Sequence, residues 1–115
     1  MHHQDEAQVP SSVLVVDDDE GIRTLLVEVL RGAGYVPATV TNGEEALAYL
    51  RSHSLPGVIL LDLVMPRMDG WTFRREQRAD HAIAAVPIIV TTDVSREEQK
   101  VNTMRAVAYL EKPFN

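Results

Sequence analysis

The amino-acid sequence predicts an α/β fold in which helices cover both faces of a parallel β-sheet. Strand-like runs alternate with segments of helical periodicity along the chain, which gives five strands separated by four helices. The third strand-like run, "GVILLD" (57–62), is continuously apolar, as is typical of a strand buried on both faces. Right-handed crossovers then join consecutive parallel strands into a doubly wound sheet.

Composition limits the kind of protein. The chain has 115 residues, of which 45% are hydrophobic, and this fits one domain with a sizeable core. It has no cysteine, which excludes disulfides, zinc–thiolate sites and cysteine nucleophiles. It also has no apolar run of eighteen residues and no apolar leader. The formal net charge of −6 disfavours direct binding to nucleic acid.

The first half of the chain predicts two strands and two helices after a flexible tail at residues 1–12. The run "VLVVD" (13–17) is the first strand, and the helix after it ends at Gly32 and Gly34. "YVPATV" is the second strand, and Pro37 within it indicates an edge position. Thr41 and Glu44 have the spacing of a capping box at the start of the second helix.

The second half predicts a third helix, from about Trp71 to Ala79, with a thin apolar face. Gln77 stands where that face calls for leucine or isoleucine. "VPIIVTT" is the fourth strand, "REEQKVNTMRA" is a polar fourth helix, and "VAYLEKPF" contains the fifth strand. The domain is therefore expected to span residues 13–115.

Charged and hydroxyl side chains follow several of these strands. The carboxyl ends of parallel strands meet at one edge of a sheet, where functional crevices lie. We expect that edge to bring together the side chains that end the first, third, fourth and fifth strands: Asp17, Asp18, Asp62, Thr91 or Thr92, and Lys112. Asp19 and Glu20 come next in the chain and are more simply explained as caps of the first helix.

Carboxylates that lie this close together require a positive partner. Their mutual repulsion is about 4 kcal/mol per close pair at an effective dielectric constant near 20. Mg²⁺ prefers carboxylate oxygens and also binds phosphate oxygens. Beside such an ion, an aspartate can act as a nucleophile towards phosphorus, and a lysine and a threonine can stabilise the phosphoryl oxygens.

With these features the sequence resembles the receiver domain of two-component response regulators. The segments that match are "VLVVDDDEGIR", "NGEEAL", "VILLDLVMPRMDGW", "VPIIVTT" and "YLEKPF". They occur in the family's order and cover residues 13–114. The resemblance implies a flavodoxin-like sheet with the strand order 2-1-3-4-5. It also implies that the Lys112–Pro113 bond is cis.

The resemblance further implies a role for individual residues. Asp62 would be the phosphoacceptor, and Lys112 would contact the phosphoryl group. Thr92 would be the switch hydroxyl, and Tyr109 the aromatic residue that follows its movement. The ligands of Mg²⁺ would be Asp17, Asp18, Asp62 and the main-chain carbonyl of Val64.

The sequence departs from the family pattern at several points. Asp93 occupies a position where the family usually has a small residue, and a register shift of one would make Thr91 the switch. The stretch from Thr92 to Lys112 is short and lacks the usual Gly-Ala before the fifth strand. The family's fifth helix is absent from this chain, so we expect either that the natural protein continues after Phe114 or that this form self-associates as a homodimer.

Two functions follow from these observations. The first is a cytoplasmic signalling switch, not an enzyme beyond its own phosphorylation and dephosphorylation, which receives its phosphoryl group from a histidine kinase or a phosphotransfer protein. The alternative is a phosphorylation-independent protein-interaction module of the same fold, which Asp93 and the unusual fourth helix favour. An aspartyl phosphatase fits less well, because such enzymes usually need Asp-x-Asp at the acceptor and this chain has Asp62-Leu63-Val64. Membrane and nucleic-acid partners are not expected.

Overall fold

The computed structural model describes residues 8–92 and 105–111, apart from the side chains of residues 8–10, 92, 109 and 111. In chain order, the elements are β1 (Gln8–Val16), α1 (Glu20–Gly32), β2 (Val36–Val40), α2 (Gly43–Ser52), β3 (Leu55–Asp62), α3 (Gly70–Arg78), β4 (Ile88–Thr92) and β5 (Ala108–Glu111). Residues 96–104 of the predicted fourth helix, Asp93, Lys112 and the Lys112–Pro113 bond lie outside the described residues. The last two residues of that predicted helix, Arg105 and Ala106, are described and are not helical, since Arg105 has a φ of 57°.

The strands form one parallel sheet in the order β2-β1-β3-β4-β5. This confirms the predicted fold class and strand order, and it places Pro37 on an edge strand as expected. Helices lie on both faces of the sheet. Leu47 of α2 and Phe73 of α3 belong to the larger apolar cluster, whereas Leu26 of α1 packs with Val13, Val15 and Leu60 in a smaller one on the opposite face.

The first strand is longer than the sequence predicts. It begins at Gln8 rather than Val13, so residues 8–12 of the expected flexible tail are part of the sheet. The reason is that β3 also starts early, at Leu55, and its first residues pair with Gln8 and Val9. A shift in register between Val9 and Val13 then brings the buried part of β1 into line with β3.

The start of α2 is capped one residue later than predicted. Asn42, not Thr41, is the N-cap, and its side chain accepts a hydrogen bond from the Glu45 amide. Glu45, not Glu44, reaches back and accepts hydrogen bonds from the amide and hydroxyl of Thr41. The N-cap is therefore shifted by one residue, since Asn is at least as good an N-cap as Thr, and the Glu45 carboxylate bonds to the residue before the cap.

Gln77, the polar residue in the expected apolar face of α3, is fully buried with Phe73. The α1 face of the sheet is less completely covered, since Leu25, Val29 and Leu110 are exposed. No helix in the described part of the chain is both long enough and apolar enough to cross a membrane.

Candidate functional site

Three carboxylates meet at the carboxyl edge of the sheet. The register pairs Val16 with Leu61, so Asp17 and Asp62 leave adjacent strands side by side. Oxygen atoms of Asp17, Asp18 and Asp62 lie within 4.8 Å of one another. Asp17 and Asp62 are buried and Asp18 is exposed, which leaves the cluster open to solvent on one side.

Asp17 is held in place by the first turn of α1. Its Oδ1 atom accepts a hydrogen bond from the Asp19 amide at 2.9 Å, and its main-chain carbonyl accepts one from Nη1 of Arg23 at 2.9 Å. Its own amide donates to the carbonyl of Val40 in β2. The bond from Asp19 orients the Asp17 carboxylate, and the other two hold its main chain. Sequence reasoning did not identify Arg23 because its contact is to the main chain.

The side chain of Asp19 caps α1, although its amide contacts Asp17. Its Oδ1 atom accepts a hydrogen bond from the Ile22 amide at 3.1 Å, which makes it the N-cap of α1. Glu20 lies in the first turn, near the positive end of the helix. The capping role predicted for this pair is confirmed for Asp19.

The loop after Asp62 is closed at both ends by hydrogen bonds from glycine amides to its carbonyls. The Gly70 amide donates to the carbonyl of Leu63, and the Gly43 amide donates to the carbonyl of Met68, each at 2.9 Å. An ion pair between Arg67 and Glu44, with 3.1 Å between Nε and Oε1, also joins the loop to α2. This loop carries Val64, whose side chain is exposed.

Both glycines lie too close to the loop to accept a side chain. A Cβ atom on Gly70 would overlap the main-chain carbonyl oxygen of Asp62 and lie 2.9 Å from Cα of Leu63. A Cβ atom on Gly43 would lie 2.7 Å from Cγ of Met68. The "DG" and "NG" pairs of the sequence carry this signal, but only the folded structure identifies what each glycine contacts.

The remaining predicted site residues come from β4 and β5. Thr91 is buried and pairs with Asp62 across β3 and β4, and Thr92 is the last residue of β4. Tyr109 pairs with Val90, and Glu111 pairs with Thr92, so β5 ends at the same edge as the acidic cluster. The side chains of Thr92 and Tyr109, and the whole of Lys112, lie outside the described residues, and their roles stay predictions.

This donor set is consistent with a divalent-metal site. Carboxylate oxygens are the ligands that hard cations prefer, and three carboxylates this close together would repel one another without a cation. Asp62 is the last residue of β3 and Asp17 directly follows β1, the strand paired with it, so little rearrangement is needed to hold an ion.

Comparison with known proteins gives consistent results. The family model described as response regulator receiver domain matches residues 13–115. The probable transcriptional regulator ycf27 of Guillardia theta is 35% identical over 112 residues, which are 96% of this chain and 42% of that protein. The DNA-binding transcriptional regulator NtrC of Salmonella typhimurium is 40% identical over 105 residues, which are 90% of this chain and 22% of that protein. The chain thus spans less than half the length of these curated relatives.

Solved structures agree with the sequence comparisons. The chemotaxis response regulator CheY4 of Vibrio cholerae superposes with a TM-score of 0.82 at 35% identity, covering 90% of this chain and 88% of that one. The response regulator TrrA of Thermotoga maritima, solved in complex with Mg²⁺ and beryllofluoride, gives a TM-score of 0.79 at 36% identity, with coverage of 90% and 88%. From the matched fold, the carboxyl-edge acidic cluster and the family model over residues 13–115, it follows that the chain belongs to the response regulator receiver domain family.

Proposed function

We propose that Asp62 accepts a phosphoryl group and that its phosphorylation switches the protein contacts of this receiver domain. The observation that carries the proposal is the meeting of Asp17, Asp18 and Asp62 within 4.8 Å at the carboxyl edge of the sheet. Asp62 ends a strand whose preceding residues, Ile59 and Leu61, are fully buried, so its backbone is rigid. A nucleophile on a rigid strand with two acidic neighbours fits phosphoryl transfer assisted by a cation.

Mg²⁺ is the cation that we propose for this site. Asp17, Asp18 and Asp62 would hold it, together with the main-chain carbonyl of Val64 in the loop that Gly43 and Gly70 close. A bound Mg²⁺ would supply positive charge to neutralise the phosphoryl oxygens. The proposal is supported by the relative TrrA, which was solved with Mg²⁺ and beryllofluoride.

In the proposed reaction, a carboxylate oxygen of Asp62 forms a bond to phosphorus while the phosphorus–nitrogen bond of a phosphohistidine breaks. The electron pair of that bond leaves with the imidazole nitrogen of the donor. Lys112 would neutralise the phosphoryl group, and the Thr92 hydroxyl would hydrogen-bond to it. The burial of Thr91 supports Thr92 as this hydroxyl, since Thr91 is only 1% exposed.

The switch would then act through β4 and β5. Thr92 ends β4, and Tyr109 lies in the neighbouring strand β5. Movement of the Thr92 hydroxyl towards the phosphoryl group would open space for the Tyr109 ring. This changes the surface at the β5 edge without unfolding the sheet.

We further propose that the donor is a histidine kinase or a phosphotransfer protein and that the site works in the cytoplasm. The chain would catalyse only its own phosphorylation and dephosphorylation. Its net charge of −6 argues against direct binding to DNA by this domain. The names of the two relatives describe transcriptional regulators. If this receiver domain also regulates transcription, contact with DNA would be made by a segment outside the domain.

Intact-mass measurement after treatment with acetyl phosphate and Mg²⁺ tests the proposal. The unmodified chain should gain one phosphoryl group, and the Asp62→Asn variant should gain none. Asp18→Asn should weaken Mg²⁺ binding, followed by the fluorescence of Trp71, which lies in α3 directly after Gly70. Asp19→Asn is the matched control, because it removes a neighbouring charge and keeps a good N-cap.

Equal phosphoryl gain in the unmodified chain and in Asp62→Asn would refute the assignment of the acceptor. Equal loss of Mg²⁺ affinity in Asp18→Asn and Asp19→Asn would refute the ligand set. An unmodified chain that binds Mg²⁺ and gains no phosphoryl group would instead favour the phosphorylation-independent interaction module.

A further inference from the structure

A buried polar network joins α3 to the segment that precedes β4. Gln77 has no exposed surface, and its Nε2 atom donates to the carbonyls of Ile83 at 2.9 Å and Val86 at 3.1 Å. Its Oε1 atom accepts a hydrogen bond from Nη1 of Arg74 at 2.7 Å. Three hydrogen bonds therefore hold the Gln77 amide in a single orientation.

The same network reaches the entrance of β5. Arg74 is 8% exposed, and its Nη2 atom donates to the main-chain carbonyl of Arg105 at 3.3 Å. Arg105 has a φ of 57°, in the left-handed region that non-glycine residues rarely adopt. Two residues later, the Val107 amide donates to the carbonyl of Ile88 at 2.9 Å, and β5 begins at Ala108.

Stability alone is a weak reason for this arrangement. Desolvation by burial lowers the pKa of Arg74, with a further lowering by the charge of Arg78, so the guanidinium is held in an unfavourable environment. Apolar side chains at such positions often stabilise a protein as well as a buried polar network does. What a fully hydrogen-bonded buried network adds is a fixed geometry.

We propose that Arg74, oriented by Gln77, is a positioning residue that holds Arg105 in its left-handed conformation. Arg105 directs the chain into β5, so this contact sets the position of β5 along the sheet and therefore of the residue that follows it. This inference rests on the proposed function, in which Lys112, the residue after β5, meets the phosphoryl group. The acidic cluster is built on β1 and β3, whereas Lys112 depends on β5. Loss of the Arg74 guanidinium therefore slows phosphoryl transfer and leaves the Mg²⁺ ligands in place.

The test compares Arg74→Leu with Arg75→Leu in the 115-residue chain. Arg75 is exposed on the same helix and is the matched control. We expect Arg74→Leu to slow phosphorylation by acetyl phosphate about tenfold, as a small misplacement of a reacting group does. The Kd for Mg²⁺ should not change, and Arg75→Leu should match the unmodified chain in both measurements. Hydrogen exchange at the Val107 amide should become faster in Arg74→Leu alone.

Repeating the comparison in the Arg105→Gly variant separates a positioning role of Arg74 from simple packing. In Arg105→Gly, the left-handed conformation no longer carries a steric penalty, so Arg74→Leu should slow phosphorylation less than it does with Arg105 present. An equal loss in both backgrounds would mean that Arg74 only fills space. If Arg74→Leu does not fold, Arg74→Lys, which lacks the forked donors, takes its place in the same comparisons.

Two other outcomes would overturn the inference. One is wild-type phosphorylation by Arg74→Leu. The other is a parallel loss of phosphorylation and Mg²⁺ affinity, which would indicate general disruption of the site. If the unmodified chain takes no phosphoryl group, the proposed function fails first. Unchanged exchange at Val107 in Arg74→Leu would then also refute the positioning of the segment before β5 by Arg74.

Discussion

Replacing Gly70 with alanine is expected to destabilise the fold and to distort the loop after Asp62. The new Cβ atom would lie 2.9 Å from Cα of Leu63 and 3.1 Å from its Cδ2 atom, and it would overlap the carbonyl oxygen of Asp62. Two of these three neighbours are main-chain atoms, so a side-chain rotation cannot relieve the overlap. The backbone must shift, and Asp62 must shift with it.

The expected change in the free energy of unfolding of Gly70→Ala is the sum of opposing contributions. Overpacking of this kind costs about 1–3 kcal/mol, and loss of the hydrogen bond from Gly70 to Leu63 costs about 1 kcal/mol more. Alanine restricts the unfolded chain and returns about 0.4–1 kcal/mol. We therefore expect the free energy of unfolding to fall by about 1–4 kcal/mol.

Gly32→Ala is the matched control, because a Cβ atom on Gly32, the last residue of α1, meets no atom within 4 Å. This variant should be neutral or more stable by up to about 1 kcal/mol. Urea unfolding followed by far-ultraviolet circular dichroism gives both values, since Trp71 lies too close to Gly70 to serve as a neutral probe. Equal stability of Gly70→Ala and Gly32→Ala would refute the reasoning, as would an unchanged Mg²⁺ affinity in Gly70→Ala.

Three further predictions concern caps and the buried amide. Asp19→Ala should lower the free energy of unfolding by about 1 kcal/mol relative to Asp19→Asn, because only asparagine can still accept from the Ile22 amide; equal urea midpoints would contradict the cap. Hydrogen bonds from the Thr41 amide and hydroxyl lower the pKa of Glu45 below its ordinary value. The ionised Glu45 side chain therefore stabilises the fold at neutral pH, and this contribution is lost as the pH falls through the lowered pKa. Glu45→Gln should therefore flatten the dependence of the urea midpoint on pH on the acid side, and an unchanged slope would refute this. Gln77→Leu should cost about 1–3 kcal/mol, because the carbonyls of Ile83 and Val86 and the buried guanidinium of Arg74 each lose one hydrogen bond; thermal melts of Gln77→Leu and the exposed-site variant Arg75→Leu measure the difference, and equal melting temperatures would contradict it.

Sequence reasoning predicted the parts of the fold that local pattern controls. The continuous apolar run before Asp62 predicted a strand buried on both faces, and the strand-end acids predicted the cluster of Asp17, Asp18 and Asp62. It did not predict that β1 begins at Gln8, because that extension depends on pairing with Leu55 in a distant strand. Pairing of this kind leaves no periodic signal in the residues themselves.

The buried amide of Gln77 was not predictable for a similar reason. Its partners are main-chain carbonyls of Ile83 and Val86, which any residue type would supply. From the sequence alone, Gln77 is therefore read as a polar interruption of the apolar face of α3. The capping register of α2 was wrong by one residue because Thr41 and Asn42 are adjacent, and both can cap a helix.

The position of Pro37 has a consequence for how the molecule behaves in concentrated solution. The carbonyl of Val40 accepts from Asp17, so it points towards β1, and because main-chain direction alternates along a strand, Pro37 and Thr39 point away from the sheet. Pro37 has no N–H group, so Thr39 supplies the single outward donor within β2. An edge with one donor is a poor template for strand addition. The β2 edge therefore protects the native fold against aggregation by edge-to-edge pairing.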